Sequence, residues 1–220
     1  MDAFSGHKKE GTWLLKNAED RLRIFLVPLV PRSIETYHLT MMTVLWSFLV
    51  IVGSFLATKN LAWIFLASGA IFLQYVTDLL DGAVGRARNT GLVKWGFYMD
   101  HFLDFVFLSS MAIGYFFFVP AEMLWWTYAA LILATAFLVS SFLEFAATNN
   151  FKISFFGIGP TESRLGLIFF NTAVFFFGGT IVPQLLPYFV SFGTIMLLYV
   201  LYQKQCMLWK IDMGAKKNSR

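Results

Sequence analysis

Residues Thr77 to Phe105 read TDLLDGAVGRARNTGLVKWGFYMDHFLDF, and they place four aspartates, Asp78, Asp81, Asp100 and Asp104, at or inside the ends of two apolar runs. Asp78 and Asp81 are three residues apart and Asp100 and Asp104 are four apart, so in helices each pair shares one face. An unpaired carboxylate costs on the order of 3 kcal/mol at mid-membrane and less near the interface, so this cluster calls for compensating charge. If the two helices adjoin, all four carboxylates converge on one point. Hard oxygen donors from facing helices are what Mg²⁺ or Mn²⁺ prefers, and two such ions cancel four negative charges. A dinuclear metal site is the economical expectation.

The residues between the acid pairs suggest what such metals act on. Gly82 and Gly85 leave one helix face bare, and Gly96, four before Asp100, clears the facing helix in the same way. Arg86 and Arg88 supply planar donors suited to phosphate oxygens. Metals, arginines and bare backbone together describe a phosphate-ester site, with the metals steadying charge on attacking and leaving oxygens.

The rest of the chain sets these residues in a membrane. Of its 220 residues, 58% are hydrophobic, 19% aromatic and 14% charged, against about 25% charged in ordinary soluble domains. Six apolar runs are each long enough to span a bilayer: Leu39 to Ala57, Leu61 to Leu80, Gly96 to Val119, Leu124 to Ala147, Leu165 to Val182 and Leu186 to Tyr202. Six crossings put both termini on one side. Sixteen of the 17 basic residues then fall on that side, with Lys59 alone on the other, so the positive-inside rule makes it cytoplasmic and places the aspartate cluster there too. The net charge of +4 is accordingly a topology signal and a means of holding anionic lipid, and nucleic-acid binding is not expected.

From Gly11 to Val27, Leu14, Ala18, Leu22 and Phe25 recur at steps of three and four between charged residues. That pattern predicts an amphipathic helix along the membrane surface, ended by Pro28 and Pro31. No signal peptide is expected before it, and the lone Cys206 excludes an internal disulfide. The chain reads as one all-α integral membrane domain over residues 1–220, with a surface helix at 11–27 and a six-helix core at 39–202.

The central segment resembles the signature of the CDP-alcohol phosphatidyltransferase family, DxxDGxxAR, eight residues, then GxxxDxxxD. Here Asp78, Asp81, Gly82, Arg86, Gly96, Asp100 and Asp104 stand at the matching places, with Gly85 where the family has alanine and nine residues between Arg86 and Gly96. The extra residue leaves Arg86 or Arg88 as the family arginine, and Arg86 keeps the family distance from Asp81. The resemblance implies a six-helix membrane enzyme, often dimeric, in which a hydroxyl attacks the pyrophosphate of a CDP-linked alcohol and CMP leaves. It further implies that Asp78, Asp81, Asp100 and Asp104 hold the metals, that Gly82, Gly85, Arg86 and Gly96 line the cytidine diphosphate, and that Asp104 is an alternative general base.

Asp100-His101 and the segment Gly159-Pro160-Thr161-Glu162 are similar to the DH and GPTE features of aminoalcohol phosphotransferases, which join CDP-choline or CDP-ethanolamine to diacylglycerol. The resemblance makes His101 a base for the lipid hydroxyl and Glu162 its orienter. Arg164, at a helix start, equally suits the phosphate of a soluble acceptor in the CDP-diacylglycerol branch, where a small polar alcohol is the acceptor.

Plainer readings stand beside these. A structural pairing of the aspartates with Arg86, Arg88 and Lys94 would leave one charge over. His101 reads equally as a hydrogen-bonded helix residue and Glu162 as an acid at a helix N-terminus. Glu144 reads as interfacial or packed, Phe116 to Phe118 and Phe175 to Phe177 as lipid-facing bulk, and His7 and His38 as outside any constellation. A small ion-coupled transporter is opposed by carboxylates clustered toward one face and by the lack of a repeat. A non-catalytic lipid-binding subunit is opposed by the presence of all four aspartates.

Overall fold

The computed structural model describes residues 9–10, 14–90, 92–152, 157 and 159–218. The expected start of the surface helix at Gly11 to Trp13, together with His7, Lys8 and Arg220, lies outside them. The described chain is helical apart from a two-residue parallel pairing of Lys9–Glu10 with Phe151–Lys152. A short helix α1 (Lys16–Leu26) is followed by α2 (Thr36–Ala57), α3 (Ile64–Arg88), α4 (Val93–Phe116), α5 (Leu124–Thr148), α6 (Pro160–Phe177) and α7 (Ile181–Asn218).

Local chemistry explains most of the boundaries. Glu35 caps α2 reciprocally with His38, whose Nδ1 accepts the Glu35 N–H at 3.0 Å, so His38 serves as a capping residue. Helices α3 and α5 end on asparagines in the left-handed region, Asn89 at φ 51° and Asn149 at φ 59°, a conformation this short polar side chain tolerates. Gly178, at φ 90°, stops α6 at Phe177, short of the expected end at Val182. At the other end of the chain the reverse holds. The sixth apolar run predicts an end at Tyr202, but α7 continues to Asn218, because Gln203 to Lys210 are mostly sound helix formers with no breaker among them. At 1.5 Å per residue α7 is about 57 Å long, well beyond the roughly 30 Å hydrocarbon layer.

Helix α2 is the organising element. It packs along both α3 and α4, whose contact with each other is slight, while α6 packs on α3, and α5 lies between α4 and α7. Close approach uses small residues: a Cβ on Gly53 would stand 2.8 Å from the Ala67 backbone nitrogen, and one on Gly114 2.6 Å from Ser54 Oγ. Trp46, Val50, Ala70, Ile71 and Phe107 fill the space between α2, α3 and α4. A neutral polar network crosses the same bundle, with Tyr115 donating to Asn171 Oδ1 at 2.8 Å and Asn171 to Ser68 Oγ at 3.0 Å.

Among the described residues, four helical stretches, Thr36–Ala57, Leu61–Arg88, Ala121–Thr148 and Ile181–Lys217, are long and apolar enough to cross a membrane. The chain is an integral membrane protein of all-helical class. Helices α4 and α6 fall short of that composition because they carry Asp100, Asp104, Glu162 and Arg164.

Candidate active site

The signature residues sit in the C-terminal half of α3 and the N-terminal half of α4, and α6 supplies the residue that joins them. Arg164 Nη1 lies 3.1 Å from Asp78 Oδ2, and its Nη2 lies 3.6 Å from Asp104 Oδ1. Asp100 contributes to the field on the same guanidinium. The two acid pairs therefore meet through an arginine distant in sequence, and not through Arg86, Arg88 or Lys94 of the plainer reading. Its signal in the sequence is weak: a single basic residue in the first turns of an apolar helix.

Asp81 is 8% exposed, and its carboxylate accepts the Thr40 hydroxyl of α2 at 2.9 Å and the Gly82 amide. The four carboxylates thus do not converge on one point as expected, and among the described residues no three His, Cys, Asp or Glu side chains are gathered closely enough to hold an ion. The donor set nonetheless suits a hard divalent cation. Three carboxylates lie about one guanidinium, and the buried Asp81 stands on the same helix as Asp78.

The signature glycines divide by surroundings. A Cβ on Gly85 would stand 2.9 Å from Thr36 Oγ1, so this position lets α2 approach α3. Gly96 has nothing within 4 Å of that point, and Gly82 is covered by the Arg86 guanidinium, 3.3 Å away. Of the three, only Gly82 and Gly96 leave room for a ligand.

The two arginines divide as clearly. Arg88 donates to the carbonyls of Ile34 at 2.5 Å, Val30 at 2.8 Å and Pro31 at 3.2 Å, which ties the α1–α2 connection to α3. Arg86 makes no hydrogen bond or ion pair among the described residues and lines a cavity with Ala83 and α1.

His101 is buried between Phe97 and Phe142, with its Nδ1 2.6 Å from the Phe97 carbonyl and 3.7 Å from Asp100. A carbonyl only accepts, so Nδ1 carries the proton toward it. Glu162 does not orient this ring. Its two oxygens accept the N–H groups of Leu15 and Gly159, each at 2.8 Å, because the starts of α1 and α6 present unpaired donors there. Thr161 donates to Glu19 of α1 at 2.7 Å, so the GPTE segment is where α1 docks. Glu144 is packed, as expected, in an ion pair with Lys204 of α7 at 2.8 Å.

The model of the CDP-alcohol phosphatidyltransferase family matches residues 36–209. The chain belongs to this family. It is accordingly a transferase of phospholipid synthesis, in a family that uses CDP-alcohol substrates and lipid acceptors. The match begins at the first residue of α2 and leaves α1 outside. Neither a curated protein nor a solved structure gives a match.

Proposed function

We propose that this chain is a divalent-cation-dependent CDP-alcohol phosphotransferase, transferring a substituted phosphate from a CDP-linked alcohol to a hydroxyl acceptor with release of CMP. The observation that carries the reading is the Arg164 guanidinium held by Asp78 and Asp104, which joins the two halves of the signature across α3 and α4. Asp78, Asp81, Asp100 and Asp104 are the residues that would hold one or two Mg²⁺ or Mn²⁺ ions. When bound, such ions stabilise charge on the attacking and leaving oxygens.

Arg86 is the arginine for the pyrophosphate, since Arg88 is committed to backbone carbonyls. In the transfer, the acceptor oxygen forms a bond to phosphorus, the bond from phosphorus to the CMP oxygen breaks, and the acceptor proton passes to a base. His101 Nε2 is that base, with Asp104 as the alternative. The DH pair favours an aminoalcohol phosphate donor with diacylglycerol as acceptor. A second reading, CDP-diacylglycerol with a small polar alcohol, is favoured by Arg164, a guanidinium at the centre of the site suited to an acceptor phosphate.

All six helices α2 to α7 cross the membrane in this reading, with both termini and the site on the cytoplasmic side. Helix α1 lies in the interface, supported by Leu14 and Phe25, 83% and 67% exposed. The assembly is a homodimer. The test is a panel of radiolabelled CDP-alcohols and acceptors with purified protein, with and without Mg²⁺ or Mn²⁺. Metal-dependent release of CMP with formation of a lipid product supports the function, and no CMP from any donor overturns it.

A further inference from the structure

We propose that the cavity between α1 and α3 is a phosphate subsite in which Arg23, from outside the family-matched region, acts with Arg86; this rests on the reading of the site given above. The cavity has a volume of about 370 Å³ and is lined by Arg23, Ile24, Val27, Pro28, Ala83 and Arg86. Two guanidiniums therefore border one open space whose other lining residues are apolar. Arg86 has no hydrogen bond or ion pair among the described residues, although it stands on the signature helix beside Gly82.

Arg23 is held ready by its own helix. Its Nη1 pairs with Asp20 at 2.9 Å and its Nη2 with Glu19 at 2.8 Å, while Nε is buried with no hydrogen-bond partner. Glu19 is itself fixed by the Thr161 hydroxyl, and Leu15 by Glu162, so the start of α6 seats α1 over the cavity. Asp20 is half in water, 46% exposed, and its pair with Arg23 is the contact a phosphate displaces. A planar guanidinium released from Asp20 suits phosphate oxygens. The ligand is a phosphate-bearing group, either the diphosphate of the nucleotide donor or the headgroup of an anionic lipid.

The test uses the full chain in nanodiscs as wild type, Arg23→Gln, Arg23→Lys, Arg86→Gln and Arg21→Gln, the last an exposed control. One arm titrates CDP with Mg²⁺ in phosphatidylcholine discs, and the other measures retention of phosphatidylglycerol by native mass spectrometry. Loss of a charge-assisted contact is expected to weaken binding about tenfold or more in Arg23→Gln, in the same arm that Arg86→Gln weakens, with Arg21→Gln unchanged. A loss in the CDP arm assigns the nucleotide, and a loss in the lipid arm assigns the headgroup. Arg23→Lys keeps the charge but not the fork and is expected to fall between, with protease cleavage of α1 unchanged. Wild-type affinity of Arg23→Gln in both arms overturns the subsite, as does a loss that appears only where α1 has become protease-sensitive. Failure of the proposed function shows separately, as CDP binding without CMP release from any donor.

Discussion

Two charged clusters lie between the helices of this bundle, and they are built on different principles. Between α5 and α7, Glu144 and Lys204 pair at 2.8 Å, with the Ser140 carbonyl accepting a further bond from Lys204 at 3.2 Å. Between α3, α4 and α6, Arg164 stands among Asp78, Asp104 and Asp100. The first cluster is balanced, one charge for one. The second gathers three carboxylates about one guanidinium. A one-to-one pair holds helices together, whereas carboxylates gathered at the end of a bundle suit a cation.

Removing one carboxylate from each cluster separates these cases. Asp78→Asn or Asp100→Asn is expected to bring turnover to background, about a thousandfold or more, as is chelation, since several kcal/mol of transition-state stabilisation are lost. The unfolding temperature is expected to change little, because Asp104 still pairs with Arg164 in either variant. Activity near wild type in either variant, or in excess chelator, breaks the metal assignment.

Glu144→Gln is expected to do the opposite. Leaving Lys204 without its partner costs about 3–5 kcal/mol of stability, read as a lower unfolding temperature with turnover per folded molecule unchanged. If Asp78→Asn destabilises as much as Glu144→Gln, the contrast between the clusters fails.

A further step sharpens the chemistry within the unbalanced cluster. His101→Ala is expected to lower kcat by about a hundredfold or more with little change in donor affinity, as befits a base acting in the transition state. Glu162→Gln is expected to leave kcat nearly intact and to loosen α1, seen as faster proteolysis near Leu15. Retention of kcat in His101→Ala moves the proton to Asp104 and favours the CDP-diacylglycerol branch.

The smallest effect distinguishes the arginines. Arg86→Ala is expected to weaken CDP-alcohol binding about tenfold, the size of one charge-assisted contact, while Arg88→Ala loosens the connection at Val30 to Ile34 with less effect on affinity. The reverse order in a titration overturns the choice of Arg86.

The sequence by itself determined the helical membrane class, the shared faces of the two acid pairs and the family, since helical period, apolar length and motif spacing are all local properties of the chain. The helix ends at Asn89 and Gly178 were not read from it, since the second and fifth apolar runs end at Leu80 and Val182. Only the tertiary structure decided what each polar group meets. Arg164 of α6 reaches Asp78 of α3, Glu162 turns to Leu15 and not to His101, Gly85 faces Thr36, and Arg88 holds backbone while Arg86 stays open. The physical reason is that helix periodicity fixes which side of a helix a residue occupies, whereas its partner depends on which helix packs there and at what height. Here that was settled by the small residues that draw α3 and α4 onto α2 and by the docking of α1 on the start of α6.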